Sequence, residues 1–133
     1  MIKPNAYRQN YTGPILAMIY SAGFRIQAIK STILTKEEAM AFYAIHRSKP
    51  FFEDLVAFMS SGPIIVMILE KDNAVVDFRT LIGNTDPAKA EEGTIRKLYA
   101  MSVQANAIHG SDSDENAAVE AGFFFPERER YRM

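Results

Sequence analysis

The 133-residue sequence predicts one α+β domain over residues 1–133, with an antiparallel or mixed sheet and helices arranged in split β-α-β order. Three observations carry this expectation. Apolar residues run without interruption at strand length in Pro63–Glu70 (PIIVMILE), and they alternate with polar ones from Phe24 onward. Helix-start signals, Gly13-Pro14 and Thr35 with Glu38 three residues later, stand between these apolar stretches. No internal repeat and no Gly/Ser/Pro-rich linker divides the chain.

In order, Met1-Ile2 reads as the end of a strand, followed by Lys3-Pro4. Gly13-Pro14 opens a helix with Ile15, Met18 and Ile19 on its apolar face and Gly23 at its end. Phe24–Leu34 is expected as a strand, with Phe24, Ile26 and Ala28 facing one way and Arg25 and Gln27 the other. The Thr35–Glu38 capping box begins a helix running to about His46. Pro50 starts a second helical piece with Phe51, Leu55 and Phe58 at helical spacing, closed by Ser60-Ser61-Gly62. Pro63–Glu70 is a strand buried throughout. Asp72-Asn73 caps a helix from Ala74 to Ile82, stopped by Gly83. Residues 83–106 are irregular except for a short helix around Thr94–Met101, and a loop of that length in a small domain is usually functional. Ala107–His109 is a short strand, and Ser111–Glu115 leads into a helix capped at Gly122. The tail from Glu127 to Met133 is charged and expected to be exposed. The order is that of a ferredoxin-like fold.

Composition removes several functions. With 15 Lys+Arg against 16 Asp+Glu the chain has no excess positive field, which disfavours a general nucleic-acid binder or a sequence-specific DNA-binding protein. The absence of cysteine excludes thiol catalysis, disulfides and Cys-based zinc or iron–sulfur sites. No run approaches the ~18 apolar residues that span a bilayer, and the start has no signal-peptide pattern, so no membrane association and a cytoplasmic location are expected.

The residue best placed for chemistry is His109, in Asn106-Ala107-Ile108-His109-Gly110-Ser111-Asp112-Ser113. Imidazole can attack phosphorus at neutral pH and leave again. For a lone histidine, a ring merely hydrogen-bonded near a turn is the commoner role, and His46 is read as a surface helix residue. Gly110 is expected to give a reactant close approach. Lys3, Arg79, Thr85 and Arg96 supply three cations and a hydroxyl in or near loops, the kind of set that neutralises phosphate oxygens, although each alone is more often solvated surface charge. The chain has no GxxxxGK[ST] and no GxGxxG loop. A histidine-nucleophile phosphatase often carries Arg before His-Gly, where this chain has Ile108. One ring of Phe51-Phe52 can stack on a nucleobase, the other being core. Glu120, on the helix after His109, can orient the imidazole through its second nitrogen.

Together these segments resemble the nucleoside diphosphate kinase family. The resemblance rests on the His109 stretch with Ile2-Lys3-Pro4, Arg47–Phe52, Ser61-Gly62-Pro63, Arg79–Pro87 and Gly93-Thr94-Ile95-Arg96, in the family's order over nearly the whole chain. It implies ping-pong transfer of the γ-phosphoryl from a nucleoside triphosphate, typically ATP, to a nucleoside diphosphate, with His109 as the nucleophile that becomes a phosphohistidine. It implies further that Glu120 and Ser111 hold the imidazole and that Tyr43 and Lys3 lie near the transferred group. Arg79, Thr85 and Arg96 would hold the other phosphates, Lys3 and Asn106 the ribose, and Phe51 the base, with Leu55 lining the cleft. Mg²⁺ is expected to arrive on phosphate oxygens and water without a protein cage. A homotetramer or homohexamer is implied, with Pro87 in the loop used for subunit contacts. Asn5 departs from the usual Asp after Lys-Pro. The competing reading is a non-catalytic nucleotide-binding or regulatory relative of the same fold, against which the retention of His109, Lys3, Arg79, Arg96, Asn106 and Glu120 weighs.

Overall fold

Strand β1 (Arg25–Thr32) and strand β2 (Ile64–Glu70) pair antiparallel in a computed structural model that describes residues 1–131. Antiparallel bridges join Ile2 to Ile65 on one side and to Ile108 on the other. The lateral order is therefore β1, β2, the Ile2 segment, the Ile108 segment: the first segment of the chain is inserted between the third and the last. This is the ferredoxin-like arrangement, antiparallel throughout. Hydrogen bonds of 2.7 Å from Ile2 N–H to the Ile65 carbonyl, and of 2.8 Å from Lys3 N–H to Ala107 and from His109 N–H to Met1, hold the insertion.

Among the described residues seven α-helices surround the sheet: α1 (Pro4–Arg8), α2 (Thr12–Ser21), α3 (Lys36–Phe42), α4 (Phe52–Met59), α5 (Ala74–Ile82), α6 (Ile95–Tyr99) and α7 (Asp114–Phe124). Their starts follow local chemistry. Thr35 and Glu38 form the reciprocal capping box of α3, while Thr94 and Ser113 accept from the backbone N–H of Lys97 and Asn116. Their packing follows the two-residue period of the sheet. Ile64 and Val66 face a core with Tyr43, Phe52, Leu55, Val56 and Met59 from the α3–α4 side. Ile65 joins Ile2, Ile108, Ile15, Ile19, Phe78, Ile82 and Ile95 on the opposite face. Both faces being covered explains why β2 reads apolar without alternation. Ile2 and Ile108 are fully buried, each contributing roughly 1.5–3 kcal/mol of apolar burial.

The structure corrects several sequence expectations. A β-bulge between Ile26 and Ala28 breaks the expected alternation of β1. β2 is buried only to Val66, its second half being partly exposed. Helix α3 stops at Phe42, and Ala44–His46 is a separate 3-10 turn. The inward face of α4 is Phe52, Leu55, Val56 and Met59, so Phe51 and Phe58 are not its buried stripe. Asn73 starts α5 by adopting a left-handed backbone, φ 57°, without a side-chain cap. Helix α7 runs through Gly122 to Phe124, because Phe123 and Phe124 pack against Phe42 and a solvent-facing glycine costs a helix only about 1 kcal/mol. The tail is exposed at Glu127, Arg128 and Tyr131, as expected, and is also tied down: Tyr131 N–H donates to the Gln27 carbonyl, Lys30 pairs with Glu129, and Arg130 donates to the Phe125 carbonyl. Arg132 and Met133, included in that expectation, lie outside the described residues. No helix among the described residues is long and apolar enough to cross a membrane.

Candidate functional site

The alternation that buries Ile2 and Ile108 on one face of the sheet places their neighbours on the other. His109 thereby meets the C-terminal end of α3, its ring 5.6 Å edge-on from Phe42 and 6.2 Å edge-on from Tyr43. Lys3, also one residue removed from Ile2, is buried with its Nζ donating at 2.7 Å to Asn106 Oδ1. Asn106 Nδ2 in turn donates to the Thr85 carbonyl at 3.2 Å, which ties the irregular loop to the first segment of the chain.

Helix α7 returns Glu120 to His109, with Oε1 2.8 Å from Nε2. The same oxygen accepts from Ser111 Oγ at 2.7 Å. Although burial raises the Glu120 carboxyl, the bonds from His109 and Ser111 hold it below its ordinary value, so it is ionised at neutral pH. An ionised acceptor assigns the proton to Nε2 and leaves the lone pair on Nδ1. Burial lowers the His109 pKa below 6.5, and the Glu120 bond offsets only part of that.

Burial, then the neighbouring Arg96 charge, pulls Lys3 from 10.5 down to about 7. Burial, then Arg79, lowers Arg96 to about 10. Arg96 donates to the Gly83 carbonyl at 2.9 Å and to the Ile108 carbonyl at 2.8 Å, while its Nε is buried with no partner. Its fork therefore joins the turn after α5 to the residue preceding His109. The tight approach shows at Gly83, where φ is +87° and an added Cβ would lie 2.6 Å from Thr94 Oγ1. Gly110 is required for packing rather than for access, since a Cβ there would come within 2.9 Å of the Phe78 ring.

Tyr43 is buried with an unpartnered hydroxyl, and burial raises its pKa. Phe51 is 48% exposed and Phe52 only 7%, which makes Phe51 the open ring and Phe52 the core one. Leu55 sits in the α3–α4 core rather than as an open cleft wall. Arg79 and Thr85 are exposed, Arg79 within electrostatic range of Arg96. The structure thus gathers His109, Glu120, Ser111 and Tyr43 in one group, and Lys3, Asn106 and the Thr85 backbone in another. It brings neither Phe51 nor Leu55 against His109. Phe42, which flanks the imidazole, carried no sequence signal beyond being aromatic.

Asn5 donates from Nδ2 to the Ala105 carbonyl at 3.0 Å, and its Oδ1 is buried without a partner. An Asp here would set two acceptors against each other. A cavity of about 270 Å³ opens against the His109–Glu120 pair, between β2, α5 and α7. His109, Ser111 and Glu120 line it together with Phe24, Phe78 and Phe125, and no Lys or Arg side chain does.

Fold and site together define a class: a small ferredoxin-like α+β protein with a neutral imidazole oriented by a carboxylate beside buried cations. The sequence model of the nucleoside diphosphate kinase family matches residues 1–130, and the chain belongs to that family of phosphotransferases. It is 61% identical over 133 residues to the nucleoside diphosphate kinase of Chlorobaculum tepidum, covering 100% of this chain and 95% of the relative. It is 58% identical over 131 residues to that of Flavobacterium psychrophilum, covering 98% and 94%. Among solved structures it resembles the Aquifex aeolicus nucleoside diphosphate kinase, with TM-score 0.95, 40% identity and coverage of 97% and 94%. It likewise resembles the Halobacterium salinarum nucleoside diphosphate kinase in complex with CDP, with TM-score 0.95, 34% identity and coverage of 99% and 88%.

Proposed function

We propose that this chain moves the terminal phosphoryl group of a nucleoside triphosphate to a nucleoside diphosphate through a phosphohistidine on Nδ1 of His109. The observation that carries this is the Glu120 oxygen 2.8 Å from Nε2, which fixes the proton there and leaves Nδ1 as the nucleophilic atom. In the first half-reaction the Nδ1 lone pair forms the N–P bond as the bridging P–O bond breaks, and the nucleoside diphosphate leaves with that electron pair. In the second, a terminal phosphate oxygen of the acceptor attacks and the N–P pair returns to the ring. The Nε2 proton stays in place throughout, and the positive charge on the phosphorylated ring faces the Glu120 carboxylate.

Lys3 and Tyr43 are assigned to the transferred group, Arg79, Thr85 and Arg96 to the remaining phosphates, and Lys3 and Asn106 to the ribose. A bound phosphate stabilises the charged form of Lys3, which burial alone disfavours. Among the described residues no three His, Asp or Glu side chains converge as a metal site. Mg²⁺ carried in by the nucleotide would supply neutralisation of phosphate charge. The CDP complex of the Halobacterium relative supports the nucleotide reading. A homotetramer or homohexamer in the cytoplasm belongs to the same proposal. Ile29, exposed on the edge strand β1, and Ile33, exposed just past its end, offer apolar area for self-association.

Incubation with ATP and Mg²⁺ is expected to add the mass of one phosphoryl group, labile in acid and discharged by a nucleoside diphosphate. A chain that takes up no phosphoryl, or holds one that no diphosphate discharges, overturns the proposal. A second expectation concerns protonation. The folded protein keeps His109 neutral while the unfolded chain takes up a proton below about pH 6.5, so this residue's share of stability is lost as the pH falls through that value. An NMR titration of nucleotide-free protein should place the His109 midpoint under 6.5. A midpoint above it contradicts the dominance of burial. The third concerns the base. Because Phe51 is open, Phe51→Ala should weaken adenine and guanine nucleotides alike, by about 1–3 kcal/mol, with little change in Tm. Phe52→Ala should instead lower Tm clearly, as a core truncation of about 3–5 kcal/mol does.

A further inference from the structure

The sequence leaves His46 as a surface residue of a continuous helix. The structure puts it elsewhere: α3 has ended, and His46 closes the 3-10 turn Ala44–His46, half-buried between two rings. Its ring stacks on Tyr43 at 6.4 Å and 26°, and meets Phe51 at 5.5 Å and 54°. Both distances lie within the range of productive aromatic pairs. The backbone that carries the ring is fixed on both sides, since His46 N–H donates to the Tyr43 carbonyl at 2.9 Å and Lys49 N–H to the His46 carbonyl at 2.8 Å. Tyr43 is itself immobilised in the core and stands edge-on to His109. The rings therefore form one ladder from the reacting imidazole outward: His109, Tyr43, His46, Phe51.

We infer that His46 is a positioning residue for the nucleotide base, bracing the exposed Phe51 ring against the buried Tyr43 ring so that the stacking surface is ordered before a nucleotide arrives. This rests on the proposal that a base stacks on Phe51. The physical reason is entropic. Phe51 caps the start of α4 with half its surface in solvent, and an unsupported ring would lose its rotamer freedom on binding. His46 removes that loss in advance. The benefit goes to every base equally, because a ring face reads none of the edge groups.

The test uses His46→Ala and His46→Phe in the full chain, with ATP and GTP as substrates and inorganic tripolyphosphate, which has no base, as a competitive inhibitor. His46→Ala is expected to raise KM for both nucleotides by about fivefold, the cost of ordering one side chain on binding. Its kcat and its tripolyphosphate Ki should stay within about twofold. His46→Phe, which keeps a ring, should restore KM to within about twofold, and His46→Ala should add little in a Phe51→Ala background. An unchanged KM in His46→Ala overturns the inference. So does a tripolyphosphate Ki that rises as much as KM, or a His46→Phe variant no better than His46→Ala. Failure of the underlying reading is seen separately, as a Phe51→Ala variant whose KM is native.

Discussion

His109→Ala is expected to abolish phosphoryl transfer while leaving fold and nucleotide binding largely intact. The loss should be on the order of 10⁴-fold or more, the scale that follows removal of a covalent nucleophile. No other group in the site can substitute. Tyr43 is a buried phenol whose pKa is raised, Lys3 is held on Asn106, and His46 is separated from His109 by the Tyr43 ring. Stability should change by no more than about 1 kcal/mol, because Ser111 still donates to the Glu120 oxygen that loses its imidazole and Glu120 is only half-buried. Binding survives because the Phe51 ring and the Arg96 fork make no contact with the imidazole. Single-turnover transfer from labelled ATP, read beside a nucleotide-binding isotherm, checks both halves. Transfer at a comparable rate would remove His109 from the mechanism.

The difference between what the sequence disclosed and what it hid has a physical origin. Helix starts were legible because their chemistry is local: Thr35 with Glu38, Thr94 with Lys97 and Ser113 with Asn116 each close within three residues. The pairing of His109 with Glu120 was also legible, since a helix beginning at Ser113 returns a residue of its second turn towards the preceding strand. Contacts closed over long separations were not. Lys3 and Asn106 are 103 positions apart, and nothing in either neighbourhood announces that they bind each other. Gly110 was read for access by a reactant, yet the ring it must clear belongs to Phe78, on another helix. His46 looked like a helix residue because the end of α3 at Phe42 is set by tertiary packing of Phe42 on Phe123, Phe124 and Tyr43, with no proline or glycine to mark it. The β1 bulge, too, is a property of the pair of strands and not of either alone.

The hidden contact with the largest predicted consequence is that of Arg96. Sequence reasoning gave it to phosphate, but the folded chain first uses its guanidinium to bridge the Gly83 and Ile108 carbonyls. These belong to the turn after α5 and to the residue immediately before His109. Arg96→Met keeps much of the side-chain volume and removes the donors. With the fork gone, the buried Ile108 carbonyl and the partly buried Gly83 carbonyl lose a charged donor, a cost of roughly 2–4 kcal/mol against unfolding. Relief of the Arg96–Arg79 repulsion and of the partnerless Nε offsets only part of it. A displacement of the His109 strand by even about 1 Å would slow transfer by roughly 100-fold, beyond any loss of phosphate affinity. Arg96→Lys separates charge from geometry. A single ammonium retains the cation but cannot donate to two carbonyls in the fixed spread of a guanidinium. If the fork matters, the lysine variant should recover nucleotide affinity more than stability, staying at least about 1 kcal/mol below the native chain in urea denaturation. Native stability in Arg96→Lys would show that Arg96 serves as a charge alone, and that the Gly83–His109 connection holds without it.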